Sequence, residues 1–210
     1  MSTAMIWGAS GGIGRALVAR LVEEGWTVWA IARTLRDLET LTPHVLQADV
    51  SSVRAVQQAV QAVGETGVQI DLWAYAAGDI EAVSVAEMQP ETWQRITDAN
   101  LRGAYLAIHY SLPLLTQTAH IFFLGAVSER MRLPRLSAYA AAKAGLEAFA
   151  EALRKEHRKR RVTVVRPGAV DTPFWSKVPF KLPPHAPPPE TVADRILDAY
   201  AERHKGSLDL

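Results

Sequence analysis

The sequence contains no cysteine, and this absence removes several kinds of chemistry at once. Disulfide bonds, thiol nucleophiles and cysteine-ligated metal sites are all excluded. We expect no metal site of any kind. A chain without cysteine also suits a reducing compartment, so we expect a cytoplasmic protein.

Long hydrophobic runs are absent as well, and the first residues do not have the pattern expected of a secretory leader. No apolar run reaches the ~20 residues that a membrane-spanning helix needs. The first residues read MSTAMIWGASGGIG, which lacks the basic and apolar regions of a signal peptide. We therefore expect neither export nor a membrane partner.

Charge of one sign is also scarce, because the formal net charge is only +1. Nothing in this balance demands an acidic partner such as nucleic acid. The basic run at 158–161 ends a predicted helix, where cations complement the helix dipole. We therefore predict no nucleic-acid partner.

What is present is an alternation of short β-rich runs and longer helical stretches. A length of 210 residues suits one domain, which we predict over residues 1–210. The predicted strands are 4–7, 27–31, 45–47, 70–75, 120–124, 162–166 and 207–209. The predicted helices are 12–24, 53–63, 91–115, 139–159 and 190–204. This order predicts a single Rossmann-type α/β domain, with a doubly wound parallel sheet flanked by helices.

A glycine-rich string joins the first predicted strand to the first predicted helix. Glycines allow a tight turn and a close approach of the backbone to a pyrophosphate, which the N-terminus of the helix then attracts. This position makes the string a strong sign of dinucleotide binding. The predicted binding residues here are Gly8, Ser10, Gly11, Gly12, Ile13 and Gly14.

The end of the second strand selects between the two nicotinamide dinucleotides. Sites for NAD have an acidic residue there, whereas an arginine suits the 2′-phosphate of NADP. Here Ala32 occupies the acidic position and Arg33 follows it, so we predict NADP(H). The competing interpretation is that Arg33 is a solvated residue just past a strand.

The ends of the third and fourth strands contribute small or polar residues. Small residues at these positions leave room for the adenine and ribose against the edge of the sheet. The predicted binding residues are Asp49, Val50, Ala76, Ala77 and Gly78, although their composition alone would not single them out.

Tyr139 and Lys143 open a predicted helix four residues apart, which places both side chains on one face. A nearby ammonium group favours the phenolate and lowers the pKa of a tyrosine from about 10. Such a tyrosine suits general acid/base chemistry. The competing interpretation is an ordinary Tyr/Lys pair on a helix surface.

Taken together, these motifs resemble the short-chain dehydrogenase/reductase family over nearly the whole chain. The matching strings are GASGGIG (8–14), DV (49–50), AAG (76–78), NLRG from Asn100, YAAAK (139–143) and RPGAVDT (166–172). The resemblance implies that Tyr139 donates or accepts the proton and that Lys143 binds the nicotinamide ribose. It also implies that Asn100 bends its helix and holds a water in the proton relay.

The resemblance has further implications for the cofactor and for assembly. Pro167, Gly168 and Thr172 would line the nicotinamide site. The family forms dimers or tetramers, which implies a homo-oligomer here through the helices at 91–115 and 139–159. The expected reaction is the NADP(H)-dependent interconversion of a carbonyl and an alcohol.

One departure from the family pattern bears on catalysis. The family's catalytic serine usually lies thirteen residues before the tyrosine, and that position is Ala126 here. Ser128 is a candidate substitute. Losing one donor to a developing oxyanion costs ~10²–10³ in kcat, so we expect reduced activity. The alternative is an NADP(H)-binding sensor or scaffold with little or no turnover.

The substrate is not readable from the sequence beyond a small carbonyl or alcohol. Residues 173–189 contain seven prolines and are predicted to form a loop over the sheet edge. Phe174, Trp175 and Phe180 in this loop are candidates for the wall of an apolar substrate pocket.

Overall fold

A computed structural model describes residues 2–127 and 131–210 of the chain. Seven strands form one parallel sheet in the order β3-β2-β1-β4-β5-β6-β7. The strands are β1 (Thr3–Trp7), β2 (Thr27–Ala32), β3 (Val45–Gln47), β4 (Ile70–Tyr75), β5 (Leu115–Leu124), β6 (Arg161–Arg166) and β7 (Gly206–Asp209).

Within the described residues, six α-helices pack on the two faces of this sheet. They are α1 (Gly12–Glu23), α2 (Val53–Gly64), α3 (Pro90–Thr97), α4 (Gly103–Ser111), α5 (Ser137–Glu156) and α6 (Pro189–Ala201). The predicted doubly wound parallel α/β fold is therefore confirmed.

Two apolar cores, one on each face, hold the layers together. Alternate strand residues point to opposite faces, so neighbours such as Ile6 and Trp7 are both fully buried but belong to different cores. One core joins the sheet to α2, α4 and α5, and the other joins it to α1 and α6. Burial on both faces explains why the strands read as continuous apolar runs.

The helix predicted over 91–115 is interrupted, and the interruption includes Asn100, where the family resemblance implied a bend. It is divided into α3, a π-helical turn at Asp98–Arg102 and α4, which ends at Ser111. Pro113 lies in a 3₁₀ turn that closes this stretch, and β5 begins at once with Leu115, five residues before its predicted start. The β4–β5 pairing is irregular between Ile70 and Leu72, so the polar start of β5 lacks a regular strand pattern.

The predicted end of α5 at residue 159 is also wrong, because the helix ends at Glu156. The Arg160 guanidinium donates to the backbone carbonyls of Leu112, Leu115 and Thr116 at 2.9–3.1 Å. This part of the basic run thus anchors the turn before β6 to the start of β5.

The loop predicted over 173–189 contains a short 3₁₀ helix at Pro173–Lys177. Helix α6 begins at Pro189, the last residue of the predicted loop. No helix within the described residues is long and apolar enough to cross a membrane. Over the same residues, no group of His, Asp and Glu side chains is arranged to hold a metal ion.

The strand order reverses at β1, which lies between β2 and β4. The loops after these strands diverge to opposite faces of the sheet and leave a crevice at its carboxyl edge. The predicted functional residues follow the carboxyl ends of strands or open helices beside this edge.

Candidate active site

A cavity of about 870 Å³ occupies the crevice at the carboxyl edge of the sheet. This volume lies in the range of small-molecule and cofactor sites, which is about 300–1,000 Å³. The structure brings nearly all of the predicted site residues to its wall. They are Gly8, Ser10, Gly11, Gly12, Ile13, Arg33, Asp49, Val50, Ala76, Ala77, Gly78, Asn100, Tyr139, Lys143, Pro167, Gly168 and Thr172.

The turn after β1 depends on the absence of a side chain at Gly8. Its φ of +76° is in the left-handed region, and a Cβ atom there would lie 2.3 Å from the backbone nitrogen of Ala77. The backbone N–H groups of Gly8 and Ala9 both donate to the Ile31 carbonyl, at 2.8 and 3.0 Å. The turn is therefore fixed between β2 and the end of β4.

The N-terminus of α1 opens into the cavity. Its cap residue is Gly11, which has no side chain to accept from the first N–H groups of the helix. Gly12 closely faces Thr172, since a Cβ atom at Gly12 would lie 2.5 Å from the Thr172 Cγ2 atom. Gly14 does not line the cavity and packs beneath the turn, where its Cβ would lie 2.3 Å from the Gly8 oxygen. Free N–H groups beside small residues fit the pyrophosphate of a dinucleotide.

Arg33 lies at the rim of the cavity just past β2, and its side chain is exposed. Its carbonyl oxygen accepts from the Gln47 side chain at 3.0 Å, which ties it to the end of β3. Asp49, further along this rim, accepts from the N–H and hydroxyl groups of Ser51 at 2.9 and 2.8 Å. The rim thus carries an exposed arginine and, further along, a carboxylate that is held by local hydrogen bonds.

Tyr139 and Lys143 lie in the first two turns of α5, on the opposite wall of the cavity. The two residues are 7% and 4% exposed, so both are buried. The Lys143 Nζ atom lies 5.7 Å from the centre of the Tyr139 ring and donates to the Leu124 carbonyl at 2.6 Å. A phenol and an ammonium group therefore meet at the end of β5.

Burial dominates the ionisation of both groups. It lowers the pKa of the Lys143 ammonium to about 8, although the Glu147 carboxylate acts in the opposite direction. Burial raises the pKa of the Tyr139 phenol above its usual value. The sequence argument predicted a lowered tyrosine pKa. The structure gives the opposite direction, because burial removes the phenol from solvent and disfavours its charged form.

Asn100 is fully buried in the π-helical turn between α3 and α4. Its amide Nδ2 donates to the carbonyls of Asp79 and Ile96, at 2.6 and 2.8 Å. Within the described part of the chain its Oδ1 atom has no hydrogen-bond partner. A Cβ atom at Gly78 would lie 2.9 Å from this oxygen and 3.9 Å from the Lys143 Nζ atom. A buried acceptor and a buried ammonium group thus face the same point of the cavity wall, which fits the hydroxyl groups of a bound ribose.

Ala126 lines the cavity at 6% exposure and carries no hydroxyl group. It belongs to a third apolar cluster with Tyr139, Ile80 and Leu136, against which Phe174 packs. The wall beside Tyr139 is therefore mainly apolar. Ser128, the candidate substitute donor, lies outside the described residues.

The predicted aromatic wall is formed by two of its three residues. Phe174 and Trp175 line the cavity, and the Phe174 ring centre lies 6.1 Å from that of Tyr139. Phe180 is 48% exposed and is not among the lining residues, although its carbonyl accepts from the Trp175 indole at 3.0 Å.

The sequence reasoning missed an ionic group at the mouth of the cavity. Asp79 follows the AAG string and pairs with Lys177 at 2.6 Å, and it also forms an ion pair with Arg95 on α3. Arg95 is paired with Glu81 as well. The position of Asp79 after the small residues is a usable signal, but no local pattern links it to Lys177.

Comparison with known proteins agrees with this geometry. The family model described as short chain dehydrogenase matches residues 2–181. An uncharacterized oxidoreductase of Staphylococcus epidermidis is 29% identical over 187 residues, covering 84% of this chain and 81% of that protein. Uncharacterized oxidoreductase Rv1543 of Mycobacterium tuberculosis is 31% identical over 220 residues, covering 95% of this chain and 64% of that protein.

Solved structures share the fold at lower identity. An alcohol dehydrogenase from Thermococcus sibiricus, complexed with 5-hydroxy-NADP, has a TM-score of 0.91 at 23% identity and covers 100% of this chain and 96% of its own. A 3-ketoacyl-(acyl-carrier-protein) reductase from Brucella melitensis, complexed with NADH, has a TM-score of 0.88 at 22% identity. The match covers 100% of this chain and 96% of that reductase. One neighbour thus carries an NADP derivative and the other NADH.

Proposed function

Since the chain belongs to the short-chain dehydrogenase family of oxidoreductases, we propose that it is an NADP(H)-dependent reductase of small apolar carbonyl compounds. The observation that carries the proposal is the meeting of buried Tyr139 and Lys143 beside an apolar cavity wall, opposite the open N-terminus of α1. Arg33 at the rim supports the choice of NADP(H), because it follows Ala32, which stands where an acidic residue would repel a 2′-phosphate.

In this proposal the nicotinamide, when bound, supplies the hydride, and the chain supplies the proton and the positioning. The Tyr139 hydroxyl donates its proton to the carbonyl oxygen of the substrate as the negative charge develops there. Lys143 stays an ammonium group at neutral pH, because its pKa of about 8 lies above 7. Its charge favours the tyrosinate left after transfer, and Asn100 holds its Oδ1 atom towards the same region.

The protonated state of Tyr139 suits the role of proton donor in carbonyl reduction. A raised pKa keeps the phenol protonated at neutral pH, which is the form that can donate to a carbonyl. Oxidation of an alcohol would require the phenolate as the base, and burial disfavours that form.

Ala126 makes the proposed enzyme slower than a family member with the serine. One donor to the developing oxyanion is missing at this position, and Tyr139 remains a donor on the described part of this wall. The sensor or scaffold alternative rests on the same residue. The buried Tyr139–Lys143–Asn100 arrangement favours turnover, since binding alone needs no proton donor beside an ammonium group.

The proposal also covers the organisation of the protein. Residues 1–210 would act as one catalytic unit, with 173–189 as the substrate loop. A homodimer or homotetramer in the cytoplasm would form through the α3–α4 and α5 surfaces, where Trp93 and Tyr105 are each 45% exposed. Light scattering during size-exclusion chromatography measures this assembly directly.

The test of the proposed function is NADPH oxidation against a panel of aldehydes and ketones that differ in polarity. We expect turnover with apolar members, and loss of turnover in Tyr139→Phe with NADPH binding retained. Full activity in Tyr139→Phe would contradict the proton-transfer role. Tight NADPH binding with no turnover of any compound, by the native protein or by Ala126→Ser, would favour the sensor alternative.

A further inference from the structure

A third ionisable residue continues the line of Tyr139 and Lys143 along α5. Glu147 follows Lys143 by four residues, as Lys143 follows Tyr139, and this spacing places all three side chains along one face of the helix. The Glu147 side chain is only 24% exposed. A carboxylate therefore stands one turn behind the buried ammonium group, on the side away from Tyr139.

Glu147 also faces a guanidinium group from β6. The Arg166 Nε atom lies 3.4 Å from the Glu147 Oε1 atom and 3.4 Å from the Ala126 carbonyl oxygen. Its NH1 atom lies 3.3 Å from the Asp209 carboxylate on β7. These separations are long for hydrogen bonds, so Arg166 acts here mainly through its charge.

The backbone around Ala126 is held from several sides by these groups. Lys143 donates to the Leu124 carbonyl at 2.6 Å, and the Gly125 N–H group donates to the Val165 carbonyl at 2.8 Å. Arg166 approaches the Ala126 carbonyl. Lys143 and Arg166 thus both lie against backbone carbonyls at or just past the end of β5. Glu147 supplies a negative charge beside these two cations.

We propose that Glu147 and Arg166 are positioning residues of the reductase site, in an alternating line of charges from Lys143 through Glu147 and Arg166 to Asp209. Glu147 is the counter-charge that keeps Lys143 an ammonium group within the wall. Arg166 partly offsets the Glu147 charge and lies against the Ala126 carbonyl. The catalytic consequence rests on the proposed function, whereas the charge coupling does not.

The charged groups that face Lys143 support this assignment. Burial disfavours the ammonium form of Lys143 and lowers its pKa, whereas the Glu147 carboxylate favours that form and raises the pKa. From the other elements, β5 contributes the neutral Leu124 carbonyl, and the π-helical turn contributes the neutral Asn100 amide. Arg166 on β6 and Asp209 on β7 act on Lys143 through Glu147.

The coupling can be measured without any substrate. The chain has six lysines, so ¹³Cε-lysine NMR can follow the titration of each, with Lys143→Arg assigning the signal. We expect Glu147→Gln to lower the pKa of Lys143 by about half a unit or more, because an opposite charge is lost. We expect Arg166→Met to raise it, because Arg166 no longer offsets the Glu147 charge, which then acts more strongly on Lys143. Glu151→Gln is the matched control, since Glu151 lies one turn further along α5 and pairs with Lys155.

The opposite signs separate charge coupling from general damage. An unchanged titration in Glu147→Gln, or shifts of the same sign in both variants, would overturn the proposal. If Glu147→Gln does not fold, Arg166→Met decides alone. A rise in the pKa of Lys143 in that variant would support the proposal, and a fall or no change would overturn it.

Activity supplies a second readout where a substrate has been found. In Glu147→Gln the alkaline limb of the kcat/KM profile should move to lower pH with the Lys143 titration, and Glu147→Asp should restore part of that shift. An alkaline limb that stays fixed while the NMR titration moves would overturn the catalytic part alone. An NMR shift in a protein without turnover would retain the coupling and contradict the proposed function.

Discussion

Lys177 and Asp79 are 98 residues apart in the chain, yet their side chains meet at 2.6 Å across the mouth of the cavity. The contact joins the 3₁₀ helix at Pro173–Lys177 to the segment that follows β4. The backbone carbonyl of Asp79 also accepts from Asn100, at 2.6 Å. Asp79 therefore links residues 173–189, the proposed substrate loop, to Asn100 of the predicted proton relay.

Removing this ion pair should loosen the loop locally. In Lys177→Met we expect the amides of Trp175 and Val178, bonded at 3.0 and 2.9 Å within the loop, to exchange faster with solvent. The increase should be about two- to fivefold, since a partly exposed ion pair contributes ~0.5–1 kcal/mol. Hydrogen-exchange mass spectrometry measures this. Lys181→Met, an exposed lysine of the same loop, is the control, and equal exchange in both variants would contradict the link.

Arg33→Ala should weaken NADP(H) binding and leave NAD(H) binding nearly unchanged. A hydrogen bond to a charged group is worth ~1.5–3 kcal/mol, so we expect a loss of about ten- to a hundredfold in affinity for NADP(H). Titration of tryptophan fluorescence with each cofactor measures it. Arg54→Ala, an exposed arginine on α2, should change neither affinity. An equal loss for both cofactors would mean that Arg33 is only structural.

Ala126→Ser should raise kcat on any carbonyl that the native protein reduces. The new hydroxyl would face the substrate oxygen from a position that is 6% exposed, and one such donor is worth up to ~10²–10³ in kcat in an optimised site. We expect about tenfold here, with KM little changed, from steady-state kinetics. A parallel Ser128→Ala variant tests the substitute donor. A large loss of turnover there would show that Ser128 already serves.

His120 should make the folded protein less stable as the pH falls below 6.5. It is fully buried, and its ring lies 2.9 Å from the Thr163 hydroxyl, with Arg161 donating to the other ring nitrogen at 3.4 Å. Burial and the Arg161 charge lower its pKa to about 3. Between pH 6.5 and 3 the unfolded chain therefore binds a proton that the folded chain does not.

The expected size follows from the same difference in pKa. At pH 5 this histidine should reduce the free energy of unfolding by about 2 kcal/mol relative to pH 7. Urea unfolding at both pH values should show that His120→Gln loses less stability on acidification than the native protein. His109→Gln, at an exposed histidine, should behave as the native protein does. Identical pH dependence in all three would exclude the buried histidine as the cause.

The parts of the fold that follow from local pattern were predictable from the sequence. The glycine turn sits between β1 and α1 as predicted, because strand, turn and helix signals are contiguous there. The break of the 91–115 helix was implied at Asn100 by the family resemblance, but local pattern did not predict it. It depends on Asn100, whose amide reaches the Asp79 carbonyl on another segment, and a helical period carries no trace of that contact.

For the site as well, the sequence predicted which residues take part, but it did not predict the environment of their side chains. Spacing placed Tyr139 and Lys143 together, and the structure brings them to one cavity wall. The predicted lowering of the Tyr139 pKa was wrong. The shift depends on how deeply the phenol is buried, and burial is set by how the helices and strands pack. The Asp79–Lys177 pair was missed for a related reason, since its partners belong to loops that only the tertiary fold brings together.

The position of β1 between β2 and β4 has a consequence for redesign. In the proposed assignment, the residues that distinguish one dinucleotide from the other all precede residue 51, whereas those that move the proton or contact the substrate all follow residue 75. Coenzyme preference and reaction chemistry therefore occupy separate, consecutive stretches of the gene. A graft confined to the β2–β3 stretch could exchange the coenzyme while leaving the proton-transfer residues of this chain unaltered.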